Sequence, residues 1–181
     1  MNMTPLNGSN KVVVVGGGAA GMMAAGMAAQ AGAQVTLLEQ NGRLGKKLLI
    51  TGKGRCNVTN DCPWQDVLQN VPTNPRFLYS ALAGFSPADA KQFFETYGCA
   101  LKTERGNRVF PVSDRSQSVL DALERFLREQ HVRVLPRRAE QIAVSDGRIS
   151  GVKTAEIGME ATLAILCLSF SPIAESIRWT R

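Results

Sequence analysis

Four cysteines occur in the 181 residues, and no two of them stand at C-x-x-C spacing. Cys56, Cys62, Cys99 and Cys167 therefore form neither a zinc knuckle nor a dithiol redox motif, and they read as the reduced thiols of a cytoplasmic protein. There is one histidine, His131, just ahead of an apolar run, where a turn residue is expected rather than a catalyst. No metal site is expected. Aromatic residues make up 6% of the chain, and they adjoin basic ones in two places, residues 75–79 and 125–128. The net charge of +6, from 21 basic and 15 acidic residues, is otherwise spread out, so a nucleic-acid patch is not expected. Residues 12–38 carry no charge, which raises a transmembrane helix or a leader cleaved at Ala31-Gly32-Ala33. Its glycines and glutamines make that stretch a poor membrane helix, and Lys11 is the only basic residue ahead of it, so neither reading is kept.

What the uncharged stretch does contain is a β-α-β pattern. Residues 12–15 are four valines without alternation, as in a parallel strand covered on both faces. Gly16, Gly18 and Gly21 follow at G-x-G-x-x-G spacing: the first allows a tight turn, the second lets backbone approach a pyrophosphate, and the third lets the helix pack closely on the sheet. Ala25 and Ala29 extend the small face, and Gly32 ends the helix. Residues 35–38 form the second strand, with Glu39 at its end, where a carboxylate accepts a ribose 2′-hydroxyl and repels a 2′-phosphate. Strand, helix and acid agree on a dinucleotide site; the alternative is that the glycines serve packing alone.

Residues 1–10 read as a loose leader. Residues 40–60 hold five basic residues and four glycines around the apolar centre 48–50. Lys46, Lys53 and Arg55 are placed to meet phosphate charge there, and a solvated surface turn is the alternative. Residues 61–130 read as mostly helical, with a short helix over 75–83 and another starting at Ser86-Pro87-Ala88-Asp89 and stopped by Gly98. Phe93, Phe94 and Tyr97 make a packing stripe. Residues 101–112 look extended, and Ser113-Asp114 is placed to cap a helix over 117–130 with Val119, Leu120, Leu123, Phe126 and Leu127 on one face. Residues 132–135 are a third parallel strand, and Asp146-Gly147 joins a hairpin of 139–144 with 148–153.

Gly42-Arg43-Leu44-Gly45-Lys46-Lys47, then Thr51-Gly52-Lys53-Gly54-Arg55-Cys56-Asn57 and Thr59-Asn60, resemble the signature of the bacterial NAD(P)/FAD-dependent oxidoreductases of the BaiN-like, aminoacetone-oxidase-like flavoprotein family. The similarity continues through Lys102, Glu104, Arg108-Val109-Phe110-Pro111 and Ser113-Asp114, and covers about residues 11–158. It implies an α/β fold, a Rossmann-like FAD/NAD(P)-binding parallel sheet with a small antiparallel meander and a mostly helical insert. FAD would lie with its pyrophosphate at Gly16, Gly18, Ala19, Ala20 and Gly21 and its adenosine ribose on Glu39 beside Gln40. Lys46, Thr51, Gly52, Gly54, Arg55, Cys56 and Asn57 would run toward the flavin, and the backbone near Ala139 would touch adenine. NAD(P)H is the implied electron donor, and a small molecule the implied substrate.

The resemblance fades after about Met159. Residues 161–168 still read as a buried strand, but Cys167-Leu168-Ser169-Phe170-Ser171-Pro172 stands where the family carries a glycine turn against the cofactor. The expected organisation is therefore an FAD-binding domain over 11–60 and 131–170, an insert over 61–130 and an atypical tail over 171–181. The C-terminal half of the family fold is expected to be absent through truncation or a frame change, with weak turnover in isolation. The alternatives carried forward are a noncatalytic nucleotide-binding fragment, a tRNA-modifying flavoprotein relative and a plain NAD-binding dehydrogenase. Arg55 and Cys56 are the first residues to test, with no catalytic acid or base assigned.

Overall fold

The computed structural model describes residues 10–167 and 178–180. Nearly all of the expected leader and most of the expected atypical tail lie outside the described residues. The chain divides into two compact units, one made of residues 47–123 and the other of the described residues before and after that stretch.

The outer unit begins with β1 (Lys11–Val15), α1 (Ala19–Gln30) and β2 (Gln34–Leu38). All four valines of β1 are buried, as expected of a strand with cover on both faces. Gly32, at φ +95°, turns the chain out of α1, a backbone state that costs glycine little. On α1 Gly26 is packed closely, and an added Cβ there would lie 2.1 Å from the Phe126 ring. The sequence pattern had marked Ala25 and Ala29 as the small face and passed over this contact.

The inner unit holds β3 (Thr59–Asn60), α2 (Trp64–Gln69), α3 (Tyr79–Gly84), α4 (Pro87–Thr96), β4 (Leu101–Glu104) and β5 (Arg108–Pro111). The helix expected over 75–83 is split: Pro75–Leu78 is a 3-10 turn and the α-helix starts only at Tyr79. Ser86 caps α4 as expected, accepting from the Asp89 amide while the Asp89 carboxylate accepts from the Ser86 amide. Phe93, in edge contact with Phe94 and tilted on Tyr97, packs as that stripe predicted. Strands β3, β5 and β4 make an antiparallel sheet in that order.

Helix α5 (Ser116–Glu129) starts in the inner unit and ends in the outer one. Its five predicted apolar positions are all buried. His131, at φ +55°, is the turn residue after it. The outer unit then continues with β6 (Arg133–Leu135), β7 (Ala139–Ser145), β8 (Arg148–Thr154), β9 (Gly158–Glu160), β10 (Leu163–Leu166) and β11 (Arg178–Thr180). One sheet, wholly parallel, has the order β10-β1-β2-β6. The other has the order β11-β7-β8-β9, with Asp146 and Gly147 both at positive φ in the β7–β8 turn, as a primed hairpin turn requires. Val13, Val15 and Leu38 of the parallel sheet pack with Ala139, Val152 and Ala161, so the meander lies on that sheet. The strand expected to be buried over 161–168 is shorter and sits at the sheet edge among the described residues, with Leu163 46% exposed. Among the described residues no helix is long and apolar enough to cross a membrane.

This strand order fixes where a ligand belongs. The chain leaves β1 toward β2 on one side and returns as β10 on the other, so the order reverses beside β1. Open α/β sheets bind ligands in the crevice outside the carboxyl ends of their strands at such a reversal.

Candidate functional site

The glycine turn occupies that reversal point, and its glycines have different reasons to be glycine. Gly16, whose amide donates to the Leu38 carbonyl at 2.8 Å, has φ +107°, and a Cβ there would lie 2.5 Å from the Cys167 carbonyl oxygen. At Gly21 a Cβ would lie 1.8 Å from the Gly16 carbonyl oxygen. Gly17, which the fingerprint treats as a free position, is also confined: a Cβ would lie 2.4 Å from Leu44 Cδ2. Gly18 is the exception. It begins α1 in an extended conformation open to any residue (φ −78°, ψ 180°), with nothing among the described residues within 4 Å of a Cβ. Folding explains the other three; Gly18 faces open space.

Gly18 brings no side-chain cap, and the first turn of α1 has no acidic residue. Met22 is the first amide to bond back, to Gly18 O at 2.9 Å, so the amides of Ala19, Ala20 and Gly21 have no acceptor within the helix. Ala19 and Ala20 are exposed. Those amides and the positive end of the helix dipole suit an anion.

Glu39 points at this turn. Its Oε2 accepts the Gly17 amide at 2.7 Å, and its Oε1 accepts the backbone amide and Nδ2 of Asn41 at 2.8 and 2.6 Å. Gly45, at φ +65°, donates its amide to the Gly17 carbonyl at 2.8 Å and folds the following loop back on the turn. Sequence reasoning noted Gly45 only as part of a motif; a glycine directly ahead of two lysines was the available signal. Gln40 and Lys46 are exposed in the same unit, and Ala139 is buried at the start of β7.

Thr51, Gly52, Gly54, Arg55, Cys56 and Asn57 belong to the inner unit. A 3-10 turn starting at Leu48 breaks at Thr51, and Gly52, Lys53, Gly54 and Cys56 all have positive φ. The expectation that Arg55 stands ready for phosphate needs correction. Its Nη2 donates to Glu104 Oε1 and Asp114 Oδ1, each at 2.5 Å, its Nε donates to Asp114 Oδ1 at 2.9 Å, and its guanidinium lies 4.2 Å from the Phe110 ring centroid. Lys102 donates to Asp114 Oδ2 at 2.7 Å. Two cations and two carboxylates cancel, so Arg55 holds the turn together instead of offering free charge. The same network corrects the cap expected from Ser113-Asp114: Asp114, at φ +54°, turns its carboxylate to Arg55 and Lys102 rather than to α5.

Lys102 and Arg55 hold the Asp114 carboxyl below its ordinary pKa, and Arg55 foremost does so for Glu104. Carboxylates depressed in the folded state stabilise it above their unfolded pKa values of about 4, and that contribution is lost as pH falls through the folded values. Thermal melts should therefore be flat from about pH 8 to 5 and decline below about pH 4. Asp114→Asn should lower the midpoint at pH 7 and shallow the acid decline; an unchanged acid profile would refute the network's role.

Cys56 is buried, and burial pushes its thiol up against an opposing hydrogen bond with Thr51. Burial, followed by the neighbouring Cys56, pushes Cys99 up to about 11. Both are protonated packing thiols at neutral pH, so Cys56 is not poised as a nucleophile. Native alkylation at pH 7.5, read by mass spectrometry, should spare both until the chain is unfolded.

A family model, described as the HI0933-like protein Rossmann domain, matches residues 10–171. A 3-dehydro-bile acid delta(4,6)-reductase of Clostridium scindens is 40% identical over 127 residues, which are 69% of this chain and 30% of that protein. A ribosomal RNA dihydrouridine synthase of Escherichia coli is 34% identical over 111 residues, 61% of this chain and 27% of that protein. The chain thus spans less than a third of the length of these curated relatives. Among solved structures, THI4 of Thermovibrio ammonificans superposes with a TM-score of 0.60 at 13% identity, covering 93% of this chain and 59% of the other, a likeness of fold.

Proposed function

The chain belongs to the HI0933-like Rossmann-domain family, and on that premise we propose that it binds FAD by the adenosine diphosphate half, for use in an NAD(P)H-linked reduction. The observation that carries this reading is Gly18: a residue with no conformational and no steric reason to be glycine, at a helix start, at the reversal point of a parallel sheet. The residues present fit the group. The amides of Ala19, Ala20 and Gly21 would hold the diphosphate, Glu39 the adenosine ribose, and the backbone near Ala139 the adenine. Gln40 and Lys46 would flank that half from solvent. Thr51, Gly52, Gly54, Arg55, Cys56 and Asn57 belong to the other unit, in a turn whose shape Arg55 maintains through Glu104 and Asp114. FAD, when bound, supplies two-electron hydride chemistry; the protein contributes binding, orientation and exclusion of water.

For the reaction class, the names of the two relatives speak of reductions that saturate a ring, in a bile acid and in a ribosomal RNA uridine. We take reduction of a carbon–carbon double bond in a cyclic substrate as the activity of the protein, in the reducing setting that its free thiols suit. A small-molecule substrate is the first reading. An RNA substrate is the second, favoured by the Escherichia coli relative and the net charge of +6.

Heat-denatured purified protein should release a chromophore with the fluorescence of FAD, and anaerobic NADH or NADPH should bleach the bound form. A chain that neither carries nor takes up FAD would sink the proposal. Flavin that binds but is never bleached would leave a noncatalytic nucleotide-binding role. Retention of ribosomal RNA on a filter, lost steeply as salt rises, would favour the second substrate class.

A further inference from the structure

Glu39 is half-buried, and each hydrogen bond of its carboxylate goes to the chain around the glycine turn. The two oxygens are not equivalent. Among the described residues, Oε1 accepts two donors from Asn41, while Oε2 accepts one, from Gly17. A carboxylate oxygen offers about two acceptor directions, so Asn41 fills Oε1 and Oε2 keeps one direction open. A carboxylate can only accept, which makes the facing Asn41 atom its amide nitrogen. Gln40, adjacent to the acid in sequence, is exposed and forms no hydrogen bond among the described residues; Asn41, one further on, is the half-buried one that engages it.

With Gly17 as its only anchor the carboxylate would pivot about a single hydrogen bond. With Asn41 on the other oxygen it is held at both ends, and these are short charge-assisted bonds. Building on the FAD reading above, we propose that Asn41 is the positioning residue of the ribose subsite. It anchors Oε1 so that the open acceptor direction of Oε2 receives a ribose hydroxyl, which makes the site selective for an adenosine diphosphate with an intact 2′-hydroxyl.

The test is calorimetric titration of the purified chain with ADP and with 2′-deoxy-ADP. Wild type should bind ADP about tenfold more tightly than 2′-deoxy-ADP, the worth of one hydrogen bond to a charged acceptor. Asn41→Ala removes the Nδ2 donor and keeps the backbone one, so it should weaken ADP about threefold and leave 2′-deoxy-ADP unchanged, lowering the ratio by the same factor; general damage to the loop would weaken both ligands alike. Asn41→Asp keeps the size and the backbone donor but sets a second carboxylate beside Glu39. Like-charge repulsion between the two carboxylates should collapse the ratio. A wild-type ratio in either variant overturns the role of Asn41 and leaves FAD binding standing. Failure of the wild-type chain to bind ADP or FAD sinks the parent reading and this one together.

Discussion

Gly18→Val is expected to cost at least about 100-fold in FAD affinity, close to 3 kcal/mol, while the chain keeps its fold. Valine fits the extended backbone at Gly18, and no atom of the described residues lies within 4 Å of the new Cβ. Against folding stand only the modest preference for glycine over valine at a helix N-cap and a compensating loss of unfolded-chain freedom, together within about 1 kcal/mol. The cofactor has no such latitude, because its diphosphate must approach the backbone where the isopropyl group would stand. Melting curves and FAD titration on the same preparation separate the two effects. Undiminished FAD affinity in a folded Gly18→Val chain would mean that the diphosphate lies elsewhere.

Gly21→Ala, three residues on, should do the reverse and damage the fold. Its methyl group would lie 1.8 Å from the Gly16 carbonyl oxygen and 3.3 Å from Cys167 Cβ. The first neighbour is backbone in a turn that is itself confined by the β10 exit, so relief requires moving α1 away from the sheet. Overpacking of this kind costs about 3 kcal/mol or more, which for a chain of this length lowers the melting midpoint by roughly 10 °C. A midpoint unchanged within about 2 °C would show that the turn is looser than its geometry states. The pair of variants divides one motif into a glycine that serves the ligand and a glycine that serves the chain.

Much of this site was legible before any coordinates. The valine run, the glycine spacing and Glu39 are local signals a few residues apart, and each reflects a requirement of one turn or one strand. The Ser86 cap of α4, the Asp146-Gly147 hairpin and the apolar face of α5 were readable for the same reason. What misled was charge. Arg55 looked available because its partners, Glu104 and Asp114, lie 49 and 59 residues further along. Asp114 looked like a helix cap because the nearest helix start was the only partner visible in its neighbourhood. Asn41 was passed over in favour of Gln40 because adjacency to an acid is not the same as facing it.

The sequence alone determined that a β-α-β unit with a tight glycine turn and a terminal acid would form, since backbone conformation, alternation and capping are settled within a few residues. Only the tertiary structure decided which glycine is left uncrowded, because that depends on what lies opposite: Cys167 and Leu44 crowd Gly16 and Gly17, and nothing among the described residues crowds Gly18. It also decided which charges are spent and which carboxylate oxygen stays open, since these depend on partners that folding brings together from distant parts of the chain.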